Sequence, residues 1–168
     1  MEYRPTPLPL FVAVGSAPPY SIACGSAEYA LGDEHPPMTI IEFASLSCDH
    51  CSRFHRNALP VLKSRYIDTD HGRVVYRVFP ASFAALRGAT ATRCDGRERY
   101  DEMVDTLYQA MIHQVVSPAL DETAFAACMA NPRNVARAKA QQQPAKFERG
   151  VRVTPTFVLN GQVVHGIR

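Results

Sequence analysis

The chain has 168 residues, of which 46% are hydrophobic and 20% are charged. This length and composition are typical of one globular domain and exclude an intrinsically disordered chain. With 18 Lys and Arg against 16 Asp and Glu residues, the formal net charge is +2, which indicates no strong attraction to nucleic acid or to an anionic membrane. No apolar run reaches the roughly 18–20 residues that a membrane-spanning helix needs.

Residues 1–27 are rich in Pro, Ser and Gly and show no periodicity, so we interpret them as an N-terminal extension or a degenerate signal segment. Arg4 and the apolar run 8–14 are typical of a secretory signal, whereas the prolines at positions 5, 7 and 9 argue against one. Cys24 ends a stretch that faintly matches a lipidation signal and is otherwise incidental.

The next stretch predicts two strands followed by a helix. Residues 29–32 indicate a short edge strand, 33–37 a turn with two prolines, and 38–45 a buried strand rich in β-branched and aromatic side chains. From 49 to 67, apolar residues recur at three-to-four spacing, which predicts a helix that Pro60 kinks or divides.

The motif Cys48-Asp49-His50-Cys51 lies where this strand gives way to the helix. Two thiols separated by two residues can close a disulfide ring, and the first lies at a helix N-terminus, where the dipole favours the thiolate. The dipole contributes only about 0.3–1 kcal/mol. We therefore expect backbone amides and a protonated His50 to add to it, and Asp49 to oppose it. The motif predicts thiol–disulfide exchange with Cys48 as the attacked sulfur.

The rest of the chain predicts a strand, a helical block and a hairpin. A strand at residues 73–79 ends at Pro80. No strand signal occurs over 81–147, where helical patterns cover 84–94, 100–115, a helix from Asp121 to about 130, and a polar helix that begins near Pro132. Asn160-Gly161, between the apolar runs 154–159 and 162–165, is a strong hairpin signal.

This order of elements resembles the DsbA-like thiol:disulfide oxidoreductases, which have an α/β, thioredoxin-like fold with an inserted helical subdomain. The resemblance covers about residues 28–166 and rests on Tyr29–Asp33, Thr39–Cys48, His50, Cys51, Gly150-Val151 and Thr154–Phe157. It implies a thioredoxin-like domain over 28–168 with a helical insertion at about 81–147.

The resemblance also assigns roles to individual residues. It implies that Cys48 and Cys51 form the redox pair, and that a cis bond before Pro155 turns the Thr154 backbone towards it for substrate binding. It further implies that Glu42 is a buried base for the Cys51 thiol, with a pKa raised by desolvation.

Partners and a compartment follow from the same resemblance. It implies reduced or unfolded secreted polypeptides as substrates, a quinone-linked membrane reoxidase of the DsbB kind, and a periplasmic location. No organic cofactor is expected, because the dithiol itself carries the two electrons.

Several alternatives stay open from the sequence. Glu42 could face solvent, and Pro155 could follow a trans bond. Cys94 and Cys128 form either a structural disulfide, as in some DsbA-like proteins, or two free thiols. The activity could be that of a reductase or an isomerase. A non-enzymatic protein could instead hold copper through Cys48 and Cys51, and Cys48, Cys51 and His55 could together bind a soft metal. The histidines at 35, 55, 71, 113 and 165 show no ligand spacing with one another.

Three departures from the family pattern carry expectations of their own. Asp49 stands where the strongest oxidants of the family have Pro, which predicts a weaker oxidant. Val153 stands where related proteins often have Gly, so the loop before Pro155 could differ. The family's final helix is expected after the hairpin and is not found before Arg168, which predicts an exposed sheet face that favours association or low stability.

Overall fold

The computed structural model of the chain describes residues 29–96, 98–110, 120–140 and 150–166. The predicted N-terminal extension with Cys24, His113 and the far end of the predicted 100–115 helix lie outside these residues.

A mixed sheet forms the centre of the fold. Its strands are β1 (Tyr29–Leu31), β2 (Met38–Ala44), β3 (Gly72–Val78), β4 (Thr156–Leu159) and β5 (Gln162–His165). They lie side by side in the order β1-β3-β2-β4-β5, with β2 and β3 parallel and the other neighbours antiparallel. Because β2 is hydrogen-bonded on both sides, the residues that follow it are held at the middle of the sheet.

Helical segments connect and cover these strands. Between β2 and β3 lie α1 (Asp49–Arg53), a π-helical turn (Phe54–Ala58), α2 (Leu59–Leu62) and a second π-helical turn (Lys63–Ile67). Between β3 and β4 lie α3 (Phe83–Ala91), α4 (Tyr100–Gln109), α5 (Glu122–Ala130) and α6 (Pro132–Ala140). The predicted order of strand, strand, redox helix, strand, helical block and hairpin is confirmed.

Pro60 divides the first helical segment, as the sequence predicts. It is the second residue of α2, a position at which its missing N–H leaves no α-helical bond unmade. The π-helical turn before α2 absorbs the interruption of the hydrogen-bond ladder.

The predicted helix 84–94 is shorter than its pattern indicates, since α3 ends at Ala91. After it, the N–H groups of Arg93 and Cys94 donate to the carbonyls of residues 90 and 91, at 3.1 and 2.9 Å. These tighter i→i−3 bonds close the helix and turn Cys94 away from its axis.

Alternation along β2 decides which side chains face the helices. Ile41 and Phe43 pack in a core with Val75 and Val158 on one face of the sheet. Glu42 and Ala44 point to the other face, where Glu42 lies opposite Tyr76 in the register of β2 with β3. This second face meets the helical block, so the alternative in which Glu42 faces solvent is wrong.

The helical block closes over that second face. The side chains of Met103, Val104, Leu107 and Tyr108 from α4 are at most 2% exposed and pack with Ala44, Tyr76 and Cys51. A disulfide joins Cys94, after α3, to Cys128 in α5, with the two Cα atoms 5.8 Å apart. The sequence left open whether these two cysteines form a disulfide or stay free, and the structure shows the disulfide.

The closing hairpin is tied to the middle of the sheet. Asn160 and Gly161 both have positive φ, 44° and 90°, as the predicted two-residue turn requires. The Thr39 N–H donates to the Asn160 Oδ1 at 3.0 Å, and the Asn160 N–H donates to the Thr39 carbonyl at 3.1 Å. These bonds fix the register of β4, and therefore the position of the segment before it.

Replacing both Cys94 and Cys128 with Ala tests the contribution of the bridge. A crosslink across 34 residues restricts the unfolded chain, so we expect the free energy of unfolding to fall by about 3–4 kcal/mol. Urea denaturation without reductant measures the difference. In strong reductant, which also opens the Cys48–Cys51 bond, wild type and variant should be equally stable, and equal midpoints without reductant would show that the bridge adds nothing.

Candidate active site

Cys48 occupies the N-cap position of α1, directly after the turn that ends β2. Its backbone is extended, and its N–H donates to the Ser45 carbonyl at 3.0 Å. Its sulfur accepts from the Cys51 N–H at 3.3 Å, the bond that a Ser or Asp side chain makes at other helix starts. Because Cys48 is also half-buried rather than sealed in the core, its sulfur can be reached from solvent.

Hydrogen bonds that converge on the Cys48 sulfur lower its pKa to about 5. The largest effect comes from the Cys51 thiol. Partial burial opposes it, and the Thr154 side chain and the N–H groups of Cys51 and His50 add to it. At neutral pH the sulfur is therefore a thiolate.

His50 and Asp49 lie beside the sulfur at the start of α1. Both residues are exposed. His50 stabilises the thiolate through its backbone N–H, whereas the attraction by its imidazolium and the repulsion by Asp49 stay predictions.

Cys51 has the opposite environment. It is fully buried, one helical turn deeper than Cys48. Its hydrogen bond to Cys48 raises its pKa most, burial raises it further, and the negative charges of Cys48 and Glu42 add to the rise. The pair is therefore asymmetric, with an accessible anion beside a sealed, protonated thiol.

The segment before β4 lies against this pair. The Thr154–Pro155 peptide bond is cis, as the family resemblance implies. The Thr154 carbonyl oxygen is 3.3 Å from the Cys48 sulfur and accepts from it when the thiol is protonated. Val153 is 52% exposed, and its carbonyl accepts from the Thr156 hydroxyl at 2.7 Å. The structure therefore brings together Cys48, Cys51 and Thr154.

Glu42 lies behind Cys51 and is fully buried. Its Oε2 is 3.1 Å from the His55 Nε2, while its Oε1 has no hydrogen-bond partner within the part of the chain that the structure describes. Burial raises the pKa of Glu42, and the hydrogen bond and charge of His55 lower it in part. The predicted rise in pKa is confirmed.

His55 is the residue that the sequence analysis missed. It was considered only as a ligand for a soft metal, with Cys48 and Cys51. Its spacing of four residues from Cys51 places both side chains on one face of a helical segment, and this signal pointed to the site. In the structure its Nε2 is bound to Glu42 instead.

The helical block meets the redox motif through a pair of hydroxyls. Ser82, the N-cap of α3, donates to the Ser47 hydroxyl at 3.2 Å. The next residue, Phe83, is 78% exposed. A large apolar side chain therefore stands in solvent near the accessible sulfur.

Neither a metal centre nor a membrane-spanning helix is found among the described residues. No three His, Cys, Asp or Glu side chains of this part of the chain are gathered as a metal ion would require. None of its helices is both long and apolar enough to cross a bilayer.

A family model described as Thioredoxin matches residues 26–168. The chain belongs to the thioredoxin family. The match includes the redox motif, the helical block and the cis-proline segment, so membership of the thioredoxin family does not depend on the Cys48–Cys51 motif alone.

Curated relatives carry the provisional name protein-disulfide oxidoreductase. One from Rickettsia conorii is 30% identical over 98 residues, which are 58% of this chain and 32% of that protein. One from Rickettsia typhi is 35% identical over 69 residues, which are 41% of this chain and 26% of that protein. The chain thus matches about a third or less of the length of these relatives.

Solved structures of the thioredoxin family share the fold. Wolbachia pipientis α-DsbA1 superposes with a TM-score of 0.71 at 25% identity, over 83% of this chain and 79% of that chain. A protein-disulfide isomerase from Novosphingobium aromaticivorans gives a TM-score of 0.76 at 18% identity, over 84% of this chain and 90% of that chain, which shows the fold alone. The predicted α/β, thioredoxin-like fold and the resemblance to DsbA-like proteins are confirmed.

Titration of the reduced protein tests the asymmetry of the two sulfurs. We expect thiolate absorbance in the ultraviolet to rise with a midpoint near pH 5, and this step to be lost in Cys48→Ala. Since the folded pKa lies below that of an ordinary thiol, the contribution of Cys48 to the stability of the reduced protein, measured as the difference between wild type and Cys48→Ala, should grow as pH rises from about 5 to the ordinary thiol pKa of about 8.5 and be absent below 5. A midpoint above pH 8 would contradict the described geometry.

Replacing Asp49 with Pro tests the predicted repulsion. Asp49 is the first residue of α1, a position that Pro tolerates, and its N–H is not among the groups that lower the pKa of Cys48. We expect the midpoint of Cys48 to fall by about 0.2–0.7 unit, the effect of one exposed charge. Asp49→Asn should give a fall of the same sign, because it removes the charge and keeps the N–H. An unchanged or higher midpoint in both variants would show that the Asp49 charge does not oppose the Cys48 thiolate.

Proposed function

We propose that the protein is a thiol:disulfide oxidoreductase that introduces or exchanges disulfides through Cys48 and Cys51. The observation that carries this proposal is the asymmetry of the pair, with a reachable sulfur whose pKa is about 5 beside a buried sulfur that keeps its proton. A sulfur of low pKa leaves readily and is attacked readily, which is the property that disulfide exchange requires.

The oxidised pair reacts in two displacements. A substrate thiolate attacks the Cys48 sulfur, the Cys48–Cys51 bond breaks, and Cys51 leaves as a thiolate that takes up a proton. A second substrate thiolate then attacks the substrate sulfur of the mixed disulfide, and Cys48 leaves as a thiolate. The substrate loses two electrons and gains a disulfide, while the protein gains the same two electrons as a dithiol.

Glu42 is proposed as the group that exchanges the proton of Cys51. Burial raises its pKa above that of an exposed carboxyl, which suits a group that must both accept and return a proton. Its unpartnered Oε1 supports this assignment, because a buried oxygen without a donor can accept one.

Thr154 and Pro155 are proposed to hold an extended substrate chain beside Cys48. The Thr154 carbonyl is 3.3 Å from the sulfur, so a chain that pairs with this backbone would bring its own cysteine within reach. The exposed Phe83 favours substrates with exposed apolar side chains, as in a reduced or unfolded polypeptide.

The low pKa of Cys48 also favours oxidation over reduction as the net direction. A stable thiolate stabilises the reduced form of the protein and thereby makes its disulfide a stronger oxidant. Steady turnover then requires a reoxidant, for which a quinone-linked membrane protein of the DsbB kind is proposed. The Cys94–Cys128 bridge supports an oxidising compartment such as the periplasm.

Oxidation of a reduced model peptide tests the proposal. With the oxidised protein and a glutathione buffer, we expect catalysed disulfide formation that Cys48→Ala abolishes, while Cys51→Ala accumulates the mixed disulfide. Insulin reduction, run beside it, separates an oxidase from a reductase. Titration with Cu(I) addresses the metal-binding alternative, since tight stoichiometric binding without turnover would replace the proposed function.

A further inference from the structure

His55 is buried under the helical block and bound to the carboxyl group behind the redox pair. It is 8% exposed, and its Nε2 lies 3.1 Å from the Glu42 Oε2. Two buried ionisable groups in such contact are costly to place in a core unless they serve as partners. The contact is needed neither for the attack on Cys48 nor for the strand pairing of β2.

Aromatic rings fix the orientation of this imidazole. The Tyr76 ring meets it edge-on at 5.2 Å between centroids, and the Tyr108 ring lies at 4.8 Å. The two tyrosine hydroxyls are bonded to each other at 2.9 Å. They are therefore satisfied without Glu42, and His55 is the side chain that bonds the carboxyl group.

Most of the other ionisable groups around the contact are negative or potentially negative, and the Lys63 ammonium acts on one of them, Asp101. The charge of Cys48 raises the pKa of Glu42. The charge of Glu42 in turn raises the pKa of Cys51. From α4, Asp101 and Asp105 lie near enough for the charge of His55 to lower their pKa, against a rise that burial causes. Because Asp105 is exposed, α4 offers a route from the imidazole to solvent.

We propose that His55 is a positioning residue for thiol exchange, which holds Glu42 ready to accept a proton and relays protons between Glu42 and the α4 side of the site. This inference rests on the proposed function and extends it to a residue outside the redox motif. The imidazole bonds one carboxyl oxygen and leaves the other, Oε1, for the proton of Cys51.

The step in which the relay acts is the closing of the disulfide. In a mixed disulfide on Cys48, the Cys51 thiol gives its proton to Glu42, and its electron pair attacks the Cys48 sulfur. The Cys48–Cys51 bond forms, the bond to the bound thiol breaks, and that thiol leaves as a thiolate with the electron pair. The proton on Glu42 then passes to His55 and on to solvent.

Ellman's reagent separates this step from the attack by Cys48. The reduced protein releases one coloured thiolate when Cys48 attacks the reagent, and a second when Cys51 resolves the mixed disulfide. In His55→Asn, loss of the hydrogen bond and charge of His55 should raise the pKa of Glu42. We therefore expect the acidic limb of the second phase to move to higher pH, so that below the midpoint the second phase slows by roughly tenfold per pH unit of that move, with the first phase unchanged.

Two comparisons make the result specific. His71→Asn removes an exposed histidine bonded to Thr69 and should leave both phases as in the wild type. In a Glu42→Gln background, His55→Asn should add no further change to the second phase, because the group through which it acts is gone. A purely structural effect of His55→Asn would slow the second phase equally at every pH, and that result would overturn the inference.

A direct titration covers the case in which His55→Asn does not fold. In His55→Gln, the carboxyl carbon of Glu42, followed by NMR with labelled glutamate, should titrate at a higher pH than in the wild type. An unchanged midpoint would overturn the inference while leaving the proposed function intact. A wild-type protein that shows neither phase would instead overturn the proposed function.

Discussion

The hydrogen bonds that end on the Cys48 sulfur are the constraint on which the site depends. Donors from Cys51, His50 and Thr154 all favour a negative charge at this atom, and partial burial opposes it less than they support it. The same contact that stabilises the thiolate on Cys48 keeps the proton on Cys51. This shared hydrogen bond is the largest of the effects that distinguish the two cysteines, and it requires α1 to begin directly after Cys48.

That position is a product of the whole fold. The central strand β2 is paired on both sides, so its end cannot shift without breaking two ladders. The hydrogen bonds between Thr39 and Asn160 fix β4 against it, and the segment that leads into β4 places the Thr154 carbonyl at the sulfur. The helical block adds its own constraint through Ser82 and through the Tyr108 ring that packs on His55.

Much of this was predictable from the sequence because it follows from local rules. The order of elements, the division at Pro60 and the turn at Asn160-Gly161 each depend on a residue whose backbone has few options. The inward position of Glu42 follows from strand alternation once Ile41 and Phe43 are placed in the other core. The cis bond at Pro155 came from the family resemblance, since no local rule separates it from an ordinary trans bond.

The parts that were not predicted depend on contacts between distant segments. Neither the pairing of Cys94 with Cys128 nor the bond between Glu42 and His55 can be chosen from spacing alone, because both need the packing of separate elements. The end of α3 at Ala91 is of the same kind, since the Ala-rich pattern continues through residues that the structure uses for a turn. The sequence predicts that backbone amides support the thiolate but not which ones, and in the structure they are those of Cys51 and His50.

The two halves of the site also differ in how readily the chain around them opens. Glu42 belongs to a strand bonded on both edges, an element of the kind that opens at a large free-energy cost, whereas Thr154 belongs to a connection outside any strand ladder. In the proposed exchange cycle, opening of the Thr154 segment alone can release a polypeptide while the buried carboxyl group remains in place. Exchange with a bulky polypeptide, as proposed, is then compatible with a core that stays closed throughout the cycle.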